Sequence, residues 1–208
     1  MTLREEQVAL TRRTILNAVI ELTSDPDAGP ITVTEVSRRS GASPATIYRH
    51  FPNRDALVSA AAVERIATWQ APEPEGAPEQ VARDYLVSLW GELAANLPLG
   101  RQATVTEGGR ELRLRRFRLY RTLEEQALRD EGFDPDDPEI RKLLACLATL
   151  GSAHAFLDLH DRQGLDVEAA VEAVLWGGAT LCEAVGVSPG HLFNLPEPPL
   201  SVESEPRT

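Results

Sequence analysis

Long apolar runs are missing from this 208-residue sequence, although apolar residues make up 42% of it. No run approaches the roughly 20 consecutive residues that a helix needs to span a bilayer. The first six residues are polar and lack the apolar stretch of a secretory signal. The apolar content is still high enough for a folded core. We therefore expect a soluble, cytoplasmic protein with no membrane partner.

Cysteines and the common catalytic motifs are also scarce. The two cysteines, Cys146 and Cys182, lie inside apolar stretches and form no Cys-x-x-Cys pair, which favours buried thiols in a reducing compartment. A redox-sensing thiol is the alternative. The sequence holds no Gly-x-Ser-x-Gly, P-loop, dinucleotide-binding or zinc motif. We predict that the protein is not an enzyme and has no catalytic residue, no metal site and no cofactor.

Charge is distributed unevenly along the chain. The formal net charge is -11, yet residues 1–65 hold eight arginines and eight acidic residues, so the whole negative excess lies in residues 66–208. A DNA-binding face needs positive charge only locally, and acidic groups elsewhere can orient the protein and keep it soluble. The negative total therefore does not exclude a nucleic-acid partner for the first part of the chain.

Signals for β-strands are nearly absent, and apolar residues recur with helical spacing almost throughout. This pattern predicts an all-α fold. The clearest compositional break is the Pro-rich segment at residues 71–78. The predicted helices lie at about residues 4–23, 33–40, 44–50, 54–69, 79–96, 101–108, 109–131, 138–163 and 167–186.

Residues 31–57 carry the most informative pattern. Thr32 is suited to cap a first helix in a capping box, and Gly41 follows where a turn requires a positive φ. Ser43 and Pro44 are typical of the start of a second helix. Two short helices joined by a glycine turn form a helix-turn-helix, whose second helix enters the major groove of DNA. A small helical bundle with no DNA role is the alternative.

The second helix combines two core-facing residues, Ile47 and Phe51, with side chains suited to DNA. Small residues let the backbone approach base edges, and a threonine can contact a thymine methyl group. Phenol, guanidinium and imidazole groups can donate to phosphates. Simple packing is the alternative role for Tyr48 and His50. The predicted DNA-binding residues are Thr32, Ser43, Pro44, Ala45, Thr46, Tyr48, Arg49, His50 and Arg54.

This segment resembles the TetR family of bacterial transcriptional regulators over about residues 5–60. The most specific part is the Tyr-x-His-Phe sequence that ends at Phe51. Two positions depart from the family pattern, since Ser37 stands where alanine is usual and Arg54 replaces the commoner lysine. The matching residues are Thr32, Val36, Gly41, Ser43, Thr46, Ile47, Tyr48, His50, Phe51, Arg54 and Leu57.

The resemblance implies that the remaining helices sense a ligand and form a dimer. We accordingly predict a helix-turn-helix DNA-binding domain at residues 1–53 and a helical ligand-binding and dimerisation domain at residues 54–195. Residues 196–208 contain four prolines and few apolar residues, which indicates a disordered tail.

The last predicted helix is apolar on two faces, so it should contact two partners. One stripe faces the core: Val167, Val171, Val174, Gly178, Leu181 and Val185. A second stripe of small residues is the predicted homodimer interface: Ala169, Ala173, Gly177, Thr180 and Ala184. Packing within one subunit is the alternative. The resemblance implies that the helix at 138–163 joins it in a four-helix bundle across the dimer axis.

The resemblance also implies an effector cavity inside the C-terminal helices. A cavity for a largely apolar molecule needs aromatic walls and a few polar groups. Filling the core is the alternative for each candidate. The predicted effector-binding residues are Trp90, Phe117, Tyr120 and His154.

Two polar sets in the C-terminal part have more than one interpretation. Six arginines in residues 110–121 are spread around a helix, which favours a solvated surface with pairs such as Arg121–Glu125. An arginine that reaches inward to an anionic effector is the alternative. His154, Asp158 and Asp161 share a helical face, where a polar patch is favoured over a metal site.

These observations together predict a ligand-responsive transcriptional repressor. It would bind a pseudo-palindromic DNA operator as a homodimer and be released by a small, largely apolar effector. The alternatives are a ligand-independent DNA-binding regulator and an enzyme that carries a helix-turn-helix.

Overall fold

A computed structural model describes residues 2–25, 27–28, 30–73 and 75–188. The described residues form ten helices and no strand, which confirms the all-α prediction. The predicted tail at 196–208 lies outside them. The helices are α1 (Leu3–Ser24), α2 (Val33–Ser40), α3 (Pro44–His50), α4 (Arg54–Thr68), α5 (Pro78–Ala95), α6 (Leu97–Val105), α7 (Glu107–Asp130), α8 (Pro138–Leu150), α9 (Ala153–Gln163) and α10 (Val167–Val185).

The single helix predicted at 138–163 is wrong, because the chain bends by 59° between α8 and α9. Gly151 ends α8 by donating its backbone N–H to the carbonyl of Leu147, 2.9 Å away. Ser152 then caps α9, since its hydroxyl accepts from the N–H of Ala155 at 3.1 Å. A helix-ending glycine followed by a capping serine is a start-and-stop signal that the continuous apolar spacing obscured.

The chain divides into two compact units, and the first comprises Met1–Trp69 and Glu92–Leu112. Its core is one apolar cluster to which α1, α2, α3, α4 and α6 all contribute, including Ile15, Val36, Ile47, Leu57 and Leu99. These side chains are almost completely buried. The helix-turn-helix is therefore held by helices on both sides of it in the sequence.

The division between the units differs from the predicted boundary at residues 53 and 54. Leu57, Ala61 and Ala62 of α4 belong to the same buried cluster as Ile15. So does Leu99 of α6, far along the chain. Because burial of a shared apolar surface defines a compact unit, the first unit takes in α4 and α6.

Asn96 explains why α6 starts at Leu97 and not at the predicted residue 101. Its side-chain oxygen accepts from the N–H of Leu99 at 3.4 Å and caps the helix. Its amide nitrogen donates to the hydroxyl of Thr23 on α1, at 2.7 Å. Asn96 is buried, so these bonds satisfy a polar group that would otherwise be costly inside the unit.

The second unit comprises Gln70–Gly91 and Arg113–Thr208. Leu128 of α7, Leu143 and Leu144 of α8, and Cys182 of α10 form one of its buried clusters. Cys182 thus fits the prediction of a buried thiol. Cys146 does not, because it lies on the exposed side of α8, two residues beyond the buried Leu144.

No single helix among the described residues is long and apolar enough to cross a bilayer. By length and composition alone, α8 and α9 together would be sufficient for a membrane span, but they are bent by 59° relative to each other.

Two adjacent carboxyl groups on α7 lie in opposite electrostatic environments. Burial raises the pKa of the Glu124 carboxyl to about 7, and the nearby Arg121 charge opposes the rise. A hydrogen bond from Arg121 Nε, at 2.8 Å, lowers the pKa of Glu125. This bond confirms the predicted Arg121–Glu125 pair.

We expect Glu124→Gln and Glu125→Gln to change the pH dependence of stability in opposite directions. Between about pH 4.5 and pH 7 folded Glu124 holds a proton that the unfolded chain lacks, so the free energy of unfolding falls as pH rises through this window. Glu124→Gln should remove that fall, a gain of about 2–3 kcal/mol at neutral and higher pH.

Glu125 contributes stability above its unfolded pKa that is lost as pH falls through its lower folded pKa, so Glu125→Gln should destabilise the protein at neutral pH. Urea unfolding at about pH 3, pH 5 and pH 8 measures both effects, because the Glu124 effect appears between pH 5 and pH 8 and the Glu125 effect appears below pH 5. Equal pH profiles for the two variants would contradict the assignment.

Candidate nucleic-acid interface

The turn between α2 and α3 is fixed by caps on both helices. Thr32 accepts from the backbone N–H of Glu35 at 3.2 Å, and Ser43 accepts from that of Thr46 at 3.1 Å. Gly41 ends α2 with φ = 73°, a left-handed conformation that glycine adopts without strain. The predicted start, turn and restart of the two helices are thus all present.

Ser37, the departure from the family pattern, has a role that the sequence did not reveal. Its hydroxyl donates to the carbonyl of Ala42 across the turn, at 2.7 Å. An alanine there would leave that carbonyl without this bond. The predicted capping box is only half formed, because the carboxylate of Glu35 pairs with Arg38 and does not return to the backbone of Thr32.

The two sides of α3 differ sharply. Ile47 is buried in the first unit, as is Phe51, which directly follows the helix. Pro44, Ala45, Tyr48 and Arg49 are exposed, and Tyr48 keeps 53% of its surface accessible. Residues at this i, i+1, i+4, i+5 spacing share one helix face. Four of the predicted DNA-binding residues therefore lie together on a single outward surface.

Thr46 and His50 lie at the margin of that surface and are both half-buried. The hydroxyl of Thr46 lies 3.0 Å from that of the capping Ser43. The Nε2 atom of His50 is buried and has no hydrogen-bond partner among the described residues. A phosphate contact from His50 would therefore have to use Nδ1.

Arg54 is engaged within the protein more than the sequence indicated. Its Nε donates to the carbonyl of Ile31 at 2.7 Å, and its Nη1 lies 3.4 Å from a carboxylate oxygen of Asp55. The first contact ties the start of α4 to the segment that precedes α2. Arg54 therefore has a structural role, with part of its guanidinium left exposed.

Residues 15–61 match the family model described as "Bacterial regulatory proteins, tetR family". The matched span contains the whole helix-turn-helix. The chain therefore carries a TetR-family DNA-binding domain. This domain makes it a DNA-binding transcriptional regulator, as the residues of α2 and α3 predicted. The chain matches no curated protein sequence.

Two solved structures resemble this chain along most of its length. A transcriptional regulator from Rhodococcus sp. Rha1 is 18% identical, with a TM-score of 0.55 over 83% of this chain and 96% of that one. A TetR transcriptional regulator from Rhodococcus sp. RHA1 is also 18% identical, with a TM-score of 0.51 over 82% and 96%. At such low identity these likenesses show a common fold.

On α10 the structure separates the two stripes that the sequence distinguished. Val171, Val174 and Gly178 of the first stripe are buried. The small-residue stripe is exposed at Ala173, Thr180 and Ala184 and half-buried at Ala169 and Gly177. The exposed side also carries a residue that the sequence analysis passed over, Trp176, with 75% of its surface accessible. Its position three residues after Ala173 and four before Thr180 was the available signal.

The four predicted effector-binding residues have different surroundings in the structure. Trp90 is completely buried and stacks on Phe156, with ring centroids 5.4 Å apart. Tyr120 is half-buried and lies edge-on to Tyr85 at 5.8 Å. Phe117 keeps 46% of its surface exposed, and His154 is exposed as well. In the single chain, the last two do not line an enclosed space.

Other features of the second unit bear on the ligand predictions. A cleft of about 370 Å³, with Phe133 and Val185 in its lining, contains none of the four predicted residues. Arg116 on α7 is buried with 8% of its surface exposed, so the arginine-rich helix is not solvated on every side. Among the described residues no group of His, Cys, Asp or Glu is arranged to hold a metal ion, and Asp158 pairs with Arg162 at 2.7 Å.

Tyr48→Phe should weaken DNA binding without changing stability, because the hydroxyl it removes has no partner among the described residues. Loss of one hydrogen bond to a charged phosphate should lower affinity by a factor of about 10–100. Arg54→Ala should reduce both affinity and the thermal midpoint, since it also removes the bond to Ile31. Fluorescence anisotropy with duplex DNA and thermal unfolding measure the two effects, and unchanged affinity in both folded variants would contradict docking through α3.

Proposed function

We propose that this TetR-family protein is a ligand-responsive repressor that binds a pseudo-palindromic operator as a homodimer. A small, largely apolar effector bound by the second unit would release it from DNA. The observation that carries the DNA-binding part is the outward face of α3, where Ala45, Tyr48 and Arg49 are exposed beside the buried Ile47. The roles of the predicted DNA-binding residues are part of this proposal.

Dimerisation is supported by the surface of α8 and α10. Exposed Trp176 is flanked by small residues on α10, and Ala145, Cys146 and Thr149 are exposed on α8. The two helices pack against each other, since a Cβ on Gly177 of α10 would lie 3.9 Å from Leu150 of α8. Small residues allow the close approach of a second pair of helices around a two-fold axis.

Trp176 supplies much of the driving force for this dimer. Covering its exposed surface would remove about 150 Å² of apolar area from water, worth about 3–4 kcal/mol per subunit before the entropy of association is subtracted. A second copy of the same face presents the same ring, so the contact is made twice. The predicted stripe of Ala169, Ala173, Gly177, Thr180 and Ala184 would surround it.

Effector control would be a population shift between two spacings of the paired recognition helices. An effector that binds the DNA-free shape more tightly by about 3 kcal/mol would weaken operator binding by roughly 150-fold. Trp90 supports an interior contact, because its indole N–H is buried with no acceptor among the described residues. The acceptor would be a polar atom of a molecule that is otherwise apolar.

Selection of bound fragments from the source genome tests the operator. Recovered fragments should share two inverted half-sites whose centres lie about 10 base pairs, or a multiple of this, apart. Fragments with a single half-site, or with no common sequence, would contradict a dimeric, sequence-specific regulator.

Trp176→Arg should convert the dimer into a monomer, because it places a charge where an apolar ring would be covered. Gln163→Arg is the matched control, since it adds the same charge at an exposed position on α9. Light scattering at micromolar protein should give the dimer mass for wild type and control and the monomer mass for Trp176→Arg. A monomeric wild type would overturn the dimer.

Trp90→Phe and Phe117→Ala test the effector residues. Apolar metabolites are screened for release of operator DNA, and each hit is repeated with both variants. Trp90→Phe keeps most of the buried ring volume and loses the N–H, so it should weaken release by a factor of about 3–10. If folded variants release DNA as readily as wild type, these residues do not bind the effector. If no compound releases DNA from the wild type, the ligand-independent regulator is favoured.

A further inference from the structure

Arg12 of α1 lies against the end of the recognition helix, although it stands outside the matched residues 15–61 and outside the predicted DNA-binding set. Its guanidinium carbon is 5.2 Å from the ring centroid of Phe51, the residue that ends α3. A guanidinium over an aromatic face is attracted by the ring's electrons, which restricts the otherwise mobile side chain. Arg12 nevertheless remains exposed to solvent.

The charge of Arg12 is not neutralised within the described part of the protein. Arg38 pairs with Glu35, Arg39 lies 3.4 Å from a carboxylate oxygen of Glu21, and Arg65 lies 2.9 Å from one of Glu92. Arg12, in contrast, forms no ion pair with any described residue. Most arginines near α2 and α4 thus form ion pairs with carboxylates, whereas Arg12 is held in place by the neutral ring of Phe51.

The position of Arg12 relative to α3 suits a phosphate. A helix of seven residues is about 10 Å long, and the major groove of B-DNA is about 12 Å wide. When such a helix lies across the groove, side chains beyond its ends meet the sugar-phosphate backbones at the groove walls. Arg12 is held against Phe51, the residue that follows the C-terminal end of α3, so its N–H groups would meet one wall.

We propose that Arg12 binds a backbone phosphate of duplex DNA, as a cationic contact that α1 adds to the helix-turn-helix and that Phe51 holds in position. The inference rests on the proposed docking of α3 in the major groove. A phosphate contact carries no sequence information, so Arg12 raises affinity for every duplex. Arginine suits the position better than lysine, because a planar guanidinium stacks on a ring and donates from its edge at the same time.

The test uses the full-length protein and a labelled mixed-sequence duplex of roughly 30 base pairs, long enough for two half-sites one turn apart. Affinity is measured for wild type, Arg12→Gln, Arg12→Lys and the control Arg38→Gln over a series of salt concentrations. Arg38→Gln removes one positive charge from the same unit, but that arginine is already paired with Glu35. Thermal unfolding of each variant reports on folding.

Arg12→Gln should lower affinity by a factor of about 10–100, as expected for one charged hydrogen bond. It should also reduce the slope of log affinity against log salt by about 0.9 for each DNA-bound subunit. Arg12→Lys should recover most of the slope, whereas Arg38→Gln should leave it close to that of the wild type. A slope for Arg12→Gln equal to that of Arg38→Gln would overturn the proposal.

A second measurement requires no variant to fold. The side-chain Nε–Hε resonance of Arg12 in the wild type should shift when the same duplex is added, and an unshifted resonance while DNA is bound would overturn the contact. Failure of the proposed α3 docking would give a different result from failure of the Arg12 contact. If α3 did not dock, the wild type itself would not bind the duplex, and Arg12 would have no phosphate to contact.

Discussion

The burial of Ile47 and Phe51 is the constraint on which the DNA-binding surface depends. A helix of seven residues is too short to be stable by itself, because nucleation costs more than a few hydrogen bonds return. Burying the two side chains in the first unit stabilises α3 by about 1.5–3 kcal/mol each. Since residues four apart share a helix face, the same burial turns Tyr48 and Arg49 outward.

Charge in the first unit is organised by pairing. Arginines on α2 and α4 are matched with Glu35, Glu21 and Glu92, so they contribute little field at the protein surface. Arg12 and Arg49 have no carboxylate partner among the described residues, and Arg12 lies at the end of α3. A protein with a net charge of -11 can therefore present positive groups at one small surface while most of its acidic excess lies in other parts of the chain.

The second unit has a surface of another kind. α10 buries Val171 and Val174 on one side and leaves the large apolar ring of Trp176 in contact with water on the other. Glu124 adds a half-buried carboxyl whose pKa burial raises to about 7. Both features tie the stability of this unit to its surroundings, the first to the proposed dimer contact at Trp176 and the second to pH.

Sequence alone determined the all-α class and the helix-turn-helix, because caps, turn glycines and apolar spacing act within a few residues. Thr32, Gly41 and Ser43 hold the conformations that their chemistry favours. The exposure of Cys146 was missed, because apolar spacing does not show which face of a helix a neighbour covers. The break at Gly151–Ser152 was missed because the apolar spacing continues across the two capping residues. Only the tertiary structure could bring Arg12 to Phe51, join α6 to the first core, or leave Phe117 and His154 exposed while Trp90 is buried. These contacts and exposures depend on residues far apart in the chain, and they form because folding buries a common apolar surface.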